Sequence, residues 1–341
     1  MIFFDVTKSA GSGHRSGLTR VGTRLAEGLG PRATPVRWTK WDRRMAPGDW
    51  FLTPELFSEA ERPGITGFLR DSPGHKAAIF HDAIPLKFPQ ITWPQSIARH
   101  PGYMKLLASF DRVWAVSAAS LDELAGFWRW QGVEKTPPTA TLALGADFNG
   151  GARTTPAPQL RAGPPILLCV GILEPRKNQS LLLDVAEELW SGGRKFELHL
   201  AGRVNPHFGA PIAKRIAALR RRFPGLKHHA SADDAQLSAL YGRARASVFP
   251  TLAEGCGLPV IESLWRGVPC VCSDLPVLRE NAAAGGCVLV KPDDRGAWSD
   301  ALGQVLADDA LRARLTAEGV SRKLPTWAEA CGVVARELGP G

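Results

Sequence analysis

The stretch Ile166–Trp190, ILLCVGILEPRKNQSLLLDVAEELW, decides the fold. Its opening run, ILLCVG, is continuously apolar and short, as expected of a strand buried on both faces. SLLLDVAEELW has the length and spacing of an amphipathic helix. The same alternation continues downstream: FELHLAG, the helix PIAKRIAALRRRF, ARASVFP, a helix from about Pro259 to Arg266, PCVCS and CVLV. Upstream run MIFFDV, the loop SAGSGHRSG, the helix LTRVGTRLAEGLG, KAAIFHD, a helix around Tyr103–Phe110, RVWAVS and the helix SLDELAGFW. Strands alternating with helices predict an α/β class built from parallel sheets. Residues 151–165, GARTTPAPQLRAGPP, are dense in Gly and Pro and read as a linker. The expectation is therefore two Rossmann-like, doubly wound domains, 1–150 and 166–325, with a crevice between their strand ends. The segment 326–341 holds a helix over Thr326–Leu338 that packs back on the N-terminal domain.

Composition narrows the class further. With 341 residues the chain exceeds one ordinary core, and 44% hydrophobic content excludes a disordered chain. No run approaches the ~18 apolar residues that span a bilayer. The N-terminal MIFFDV carries Asp5 and no basic flank, so it reads as a strand rather than a signal peptide. Of six cysteines, Cys169, Cys270, Cys272 and Cys287 fall in or beside strand-like runs, and buried structural thiols in a reducing cytoplasm are expected. Lys and Arg number 42 against 33 Asp and Glu, a net +9. Arg15, Arg20, Arg24, Arg32, Arg37, Lys40, Arg43 and Arg44 crowd one stretch that also contains Trp38 and Trp41. Basic residues interleaved with Trp suit an anionic membrane face or a lipid-diphosphate headgroup, nucleic acid, or a plain solvated face. A second cluster, Lys214, Arg215, Arg220, Arg221, Arg222 and Lys227, reads as a solvated helix face.

Two patterns carry chemistry. The first is Glu254-Gly-Cys-Gly-Leu-Pro-Val-Ile-Glu262, directly after ARASVFP, with Pro259 where a helix would begin. It places Glu254 in the loop and Glu262 on the first turn of the helix. Gly255 and Gly257 let the backbone approach a ligand, and the N–H groups of Gly255 to Leu258 with the helix dipole attract phosphate. Glu262 is suited to ribose hydroxyls and Glu254 to sugar hydroxyls; a surface acid and a dipole-favoured acid are the bland alternative. The second is Gly171-Ile-Leu-Glu174-Pro-Arg176-Lys177-Asn178. Two cations at a strand's C-terminal end, beside a helix N-terminus, make a diphosphate clamp that would stabilise charge on a leaving phosphate. The alternative is a basic loop with Asn178 as N-cap.

The R-K-N loop followed by EGCGLPVIE resembles the retaining glycosyltransferases of family 4, which have the GT-B fold. FHDAIPLKFP, RVWAVSAAS and GRARASVFPTLAEGCGLPVIESLWRGVPCVCSDLPVLRE extend the resemblance through most of the chain. It implies that Arg176 and Lys177 bind the donor diphosphate, Glu262 the ribose, and Glu254 the donor sugar. Gly171 and the backbone of Gly255, Cys256, Gly257 and Leu258 would follow the donor, and His81 would lie near the transferred sugar. Within the glycine-rich turn Ala10–Gly17, Gly13 would approach the donor, and His14 and Arg15 the acceptor. Cys256 stands where the family commonly has an aromatic residue, HHASAD replaces the usual glycine-containing segment before DDAQLSALY, and the first loop lacks the usual Gly-Gly pair.

His81 and Asp82 could form a base with its orienting acid, or a satisfied core pair. A retaining transferase needs no protein base, so His81 is assigned to sugar binding and charge stabilisation, and Asp82 to positioning on the acceptor side. No Asp-x-Asp occurs, and Arg176 and Lys177 can supply the electrostatics of a cation, so neither metal nor cofactor is expected. The pairs Asp233-Asp234, Asp293-Asp294 and Asp308-Asp309 read as helix caps or turns. The spacing G-x-G-x-x-x-G in the first loop is not that of a dehydrogenase fingerprint. The HD-x-IP-x-x-x-P variant resembles family members that make bacterial surface polysaccharides, often mannosyltransferases using GDP-mannose. That implies a nucleotide-sugar donor, a lipid-linked diphosphate glycan acceptor, an anionic membrane surface as peripheral partner and a cytoplasmic location at the inner membrane. A dTDP-rhamnose or UDP-sugar donor, a catalytically dead sugar-binding subunit, or a nucleic-acid-binding protein are the rival readings; nucleic acid is not expected.

Overall fold

A computed structural model describes residues 1–11, 17–147, 152–153 and 163–339. The chain divides into two compact units, Met1–Gly145 with Pro325–Gly341, and Ala146–Leu324. In the first, strands and helices alternate as β1 (Ile2–Asp5), α1 (Gly17–Leu29), β2 (Ala33–Val36), β3 (Trp50–Thr53), α2 (Ile65–Asp71) and β4 (His75–Phe80). There follow α3 (Ile84–Lys87), α4 (Pro94–Leu107), β5 (Arg112–Ala115), α5 (Ala118–Trp130) and β6 (Thr139–Thr141). The six strands form one parallel sheet in the order β2-β1-β3-β4-β5-β6.

The second unit runs β7 (Ile166–Val170), α6 (Gln179–Ser191), β8 (Glu197–Ala201), α7 (Ala210–Arg222), β9 (Leu226–His229), α8 (Asp234–Tyr241) and β10 (Ala246–Phe249). It continues with α9 (Leu258–Trp265), β11 (Cys270–Ser273), α10 (Pro276–Ala282), β12 (Cys287–Val290), α11 (Arg295–Ala307) and α12 (Asp309–Ser321). Its parallel sheet has the order β12-β11-β10-β7-β8-β9. The chain builds outward from β7 to β9, then returns to the other side of β7 with β10. That reversal is a topological switch point, and in open parallel sheets ligands bind at the carboxyl ends of the strands there.

The last helix, α13 (Trp327–Glu337), belongs to the first unit. Thr326 and Glu329 close a capping box at its start. Its Cys331 thiol lies against the Arg24 and Leu25 carbonyls of α1, opposite Gly28, and Glu337 pairs with Arg112 at 2.6 Å.

The burial pattern explains several local readings. Cys169, Cys270 and Cys272 are buried in β7 and β11, Cys287 is half-buried in β12, and all six cysteines are free thiols. Asp233, Asp294 and Asp308 cap α8, α11 and α12 with side-chain hydrogen bonds. In the second basic cluster, Arg215 pairs with Asp184 and Arg222 with Glu187. Two expectations are corrected. The helix placed around Tyr103–Phe110 starts instead at Pro94, because Pro94 occupies a favourable first-turn position and α4 tolerates Pro101 inside it. Trp38 and Trp41 do not dress a membrane-facing surface. Trp38 is 1% exposed in the first core, and the half-buried Trp41 stacks on Phe51 of that core with centroids 5.5 Å apart, so both indoles turn toward the core.

Candidate functional site at the switch point of the second sheet

β7 ends at Val170, and the chain crosses Gly171 into a single 3-10 turn, Pro175–Lys177. Asn178 then adopts a left-handed φ of 53° and delivers the chain into α6. It occupies the N-cap position of α6, as the alternative reading of this loop has it, but without a side-chain cap bond. On the adjacent strand, β10 ends at Phe249, and the loop Thr251–Gly257 leads into α9. Leu252 N–H donates to the Arg176 carbonyl at 2.8 Å, which ties the two loops together.

The side chains converge on one atom. Glu254 Oε1 accepts from Arg176 Nη1 at 2.8 Å, Lys177 Nζ at 2.5 Å and Thr251 Oγ1 at 2.8 Å. Arg176 is held from its other side by Glu174 Oε1, 3.0 Å from Nε, and also donates to the Ala253 carbonyl at 2.8 Å. Asn205 Nδ2 in turn donates to Glu174 Oε2 at 2.8 Å. Lys177 Nζ also sits 4.7 Å from the centre of the Phe249 ring. Burial disfavours the Glu254 carboxylate, but Lys177 and Arg176 outweigh it and hold its pKa below the ordinary value. Burial pushes Lys177 below a normal lysine, with Glu254 opposing. Two cations and two carboxylates thus form a compact network in which an entering anion would find donors already oriented.

α9 starts at Leu258, with Pro259 in its first turn and Gly257 at the N-cap in a left-handed conformation, φ 74°. Asn281 of α10 donates to the Cys256 carbonyl at 2.7 Å and pins the loop. Glu262 is the fifth residue of α9, not a first-turn residue as expected, because the helix begins before Pro259. It is 2% exposed, so this carboxylate is enclosed rather than solvated. Burial raises the Cys256 thiol to about 12, with Glu254, Glu262 and Glu280 adding to the effect. Both acids of the E-x7-E segment therefore act on one short stretch of loop.

The remaining site residues lie in the first unit. His81 follows β4, and its Nε2–H donates to the Pro54 carbonyl at 2.7 Å. Burial lowers its pKa more than Pro54 and Asp82 raise it, so the neutral ring is favoured and Nδ1 is the nitrogen left for other work. Asp82 Oδ1 accepts from Ile84 N–H at 3.0 Å, which commits that carboxylate oxygen to the start of α3. Gly13, His14 and Arg15 lie outside the described residues. The loop leading to them is held by Glu55, whose carboxylate accepts from Lys8 and Ser9 N–H at 2.8 Å each. Arg62 bridges Glu55 at 2.5 Å and Asp5 at 3.1 Å beneath. Sequence reasoning singled out none of Glu55, Arg62, Thr251, Asn205 or Asn281. Their partners are distant in sequence or supplied by backbone, and only a short polar residue just past a strand end hinted at Thr251 and Glu55.

Two doubly wound, six-stranded parallel sheets with flanking helices define the GT-B class of fold. Residues 153–322 match the family of "Glycosyl transferases group 1", so the second unit is a glycosyltransferase domain of that family. The chain is 28% identical over 273 residues to the serotype-specific mannosyltransferase WbdA of Escherichia coli, covering 73% of this chain and 31% of that protein. It is 33% identical over 156 residues to O-antigen chain mannosyltransferase B of Escherichia coli, covering 46% of this chain and 40% of the relative. The chain thus spans about a third of the length of the first of these relatives. Among solved structures, sucrose-phosphate synthase of Thermosynechococcus elongatus superposes with a TM-score of 0.66 at 23% identity, over 85% of this chain and 73% of that one. Trehalose 6-phosphate synthase of Burkholderia multivorans gives 0.67 at 14% identity, over 95% and 76%.

Proposed function

We propose that this protein transfers a hexosyl group, with retention and without a metal ion, from a nucleotide-diphosphate sugar to a glycan acceptor of the bacterial surface. The observation that carries the reading is the convergence of Arg176, Lys177 and Glu254 at the β7/β10 switch point. Arg176 and Lys177 take the diphosphate, Glu262 the ribose, Glu254 the sugar hydroxyls, and His81 the transferred sugar. In the transfer, the bond from sugar C1 to the diphosphate oxygen breaks and a bond to the acceptor hydroxyl forms on the same face. The acceptor proton passes to the departing phosphate oxygen, whose charge the two cations stabilise. GDP-mannose is the first candidate donor, supported by the mannosyltransferase names of the relatives.

The proposed acceptor is a lipid-linked diphosphate glycan at an anionic membrane surface. With Trp38 buried and Trp41 packed half-buried against the core, this part rests on charge: Arg32, Arg37, Lys40, Arg43 and Arg44 are exposed around β2 and the connection to β3. No helix among the described residues is long and apolar enough to cross a membrane.

The test is a thermal-shift series with GDP, UDP, dTDP and ADP, followed by transfer assays with the nucleotide sugar that binds. Ligand binding to the folded state raises the melting temperature by mass action. Arg176→Ala is expected to abolish both the shift and donor turnover. An unchanged shift in that variant would refute the diphosphate assignment. Vesicles containing anionic lipid should retain the protein at low salt and release it as salt rises; indifference to such vesicles would remove the membrane partner.

A further inference from the structure

The clamp formed by Arg176 and Lys177 already holds an anion of its own. Glu254 Oε1 accepts from Arg176 Nη1 at 2.8 Å and from Lys177 Nζ at 2.5 Å. Glu174 Oε1 accepts from Arg176 Nε at 3.0 Å and pairs with Nη2 at 2.9 Å. Two carboxylates thus face two cations, and the four side chains together carry no net charge. Burial disfavours the Glu254 carboxylate, but Lys177 and Arg176 keep it ionised at neutral pH. A phosphate group arriving at these nitrogens therefore meets a like charge at the same place, a costly juxtaposition where water is excluded.

The two carboxylates are not equally fixed. Glu174 is gripped through both oxygens, Oε1 by Arg176 and Oε2 by Asn205 Nδ2 at 2.8 Å. The bonds that Glu254 accepts from Arg176, Lys177 and Thr251 all fall on Oε1, and its loop runs on through Gly255 to the left-handed Gly257. Glu254 is the acid that can turn. It has to trade rather than simply leave. The Lys177 and Glu254 side chains are each 10% exposed, and a buried cation stripped of its partner is strongly disfavoured. The carboxylate gives up Lys177 only as another anion takes its place.

We propose that Glu254 is a resident anion of the clamp, displaced onto the hydroxyls of the donor sugar as a nucleotide sugar enters, and that this exchange makes the site select the nucleotide sugar over the bare nucleoside diphosphate. The chemistry of the two ligands drives the sorting. Both phosphates of a nucleotide sugar are diesters and carry about two negative charges in all. Loss of the sugar frees a terminal phosphate whose second ionisation falls at about pH 6, so the nucleoside diphosphate brings about three. The nucleotide sugar offers Glu254 hydroxyl donors in return for the cations it gives up. The nucleoside diphosphate offers no sugar hydroxyl there and adds a charge. After transfer, the returning carboxylate opposes the product and favours its release. Glu254 is thus the specificity-determining residue, and Thr251 and Glu174 position it, the first on Oε1 and the second through Arg176. This inference rests on the reading of Arg176 and Lys177 as the diphosphate site and deepens it.

The experiment is calorimetric titration of wild type, Glu254→Gln and Arg176→Ala with inorganic pyrophosphate, GDP and GDP-mannose in metal-free buffer. Glu254→Gln keeps the shape of the side chain and removes its charge. It should bind pyrophosphate and GDP about tenfold or more tightly than wild type does. GDP-mannose should gain less, so that the preference for it over GDP shrinks or reverses. Wild type by itself supplies a second measure that needs no variant to fold: GDP-mannose should bind more tightly than GDP. Arg176→Ala should lose pyrophosphate. Unchanged or weaker pyrophosphate affinity in Glu254→Gln, or tighter binding of GDP than of GDP-mannose by wild type, would overturn the inference, and the loss in Arg176→Ala would leave the diphosphate site standing. Pyrophosphate binding that survives Arg176→Ala, or failure of every ligand to bind any of the three proteins, would overturn both.

Discussion

Glu254 Oε1 gathers three donors from two loops, and removing that carboxylate would take away the ion pair of the buried Lys177, while the half-buried Arg176 keeps Glu174. Loss of one partner from a buried ion pair costs about 3–5 kcal/mol. Glu254→Ala should therefore melt well below wild type, and Glu254→Ala with Lys177→Met should recover part of the difference in the same melt. The carboxyl also carries a pH signature. Its folded-state pKa lies below the ordinary 4.5, so its stabilisation is complete above that value and is lost as pH falls through the folded pKa. Acid melts should show a slope below about pH 4.5 that is smaller in Glu254→Gln. Arg176, Lys177 and Glu254 are legible in sequence because each sits in a loop directly after an apolar strand run, where a charge has no packing reason to be. Thr251 and Asn281 are not, because hydrogen bonds formed through space leave no spacing to read. Glu262 lies one residue deeper in its helix than a start at Pro259 implies, since α9 begins at Leu258, directly after the left-handed Gly257.

At the scale of elements, the junction of β10 and α9 depends on the left-handed Gly257. A Cβ there would come within 2.5 Å of Leu278 Cδ2 and 2.9 Å of Asn281 Nδ2, in a conformation that costs a non-glycine residue about 1–2 kcal/mol. Gly257→Ala should push Asn281 off the Cys256 carbonyl and displace the loop that carries Glu254. The expected outcome is a loss of nucleoside diphosphate affinity by calorimetry, larger than the accompanying drop in melting temperature would account for. The strands and most helices were readable from periodicity, because a parallel sheet covered on both faces forces continuous apolar runs. The Trp-bearing basic stretch was not. Aromatic side chains beside arginines look the same in sequence whether the rings point in or out, and only the cluster of Phe3, Phe51 and Phe68 shows that Trp38 and Trp41 point in.

At the scale of the molecule, both units place polar, hydrogen-bonded loops at a strand reversal: Glu55 over Lys8 and Ser9 in one, Glu254 under Arg176 and Lys177 in the other. The architecture was legible because alternation survives over the whole chain, whereas each network depends on which strand lies beside which. Since α13 is part of the unit that begins at Met1, the polypeptide passes from one lobe to the other twice. A fragment ending at Gly145 would leave Gly28 and its neighbours on α1 as an open seam and strand Arg112 without Glu337. Such a fragment is expected to aggregate on expression. Splicing residues 325–339 onto its end through a short flexible tether should instead yield a monomer with a cooperative melt, a permuted half able to stand by itself.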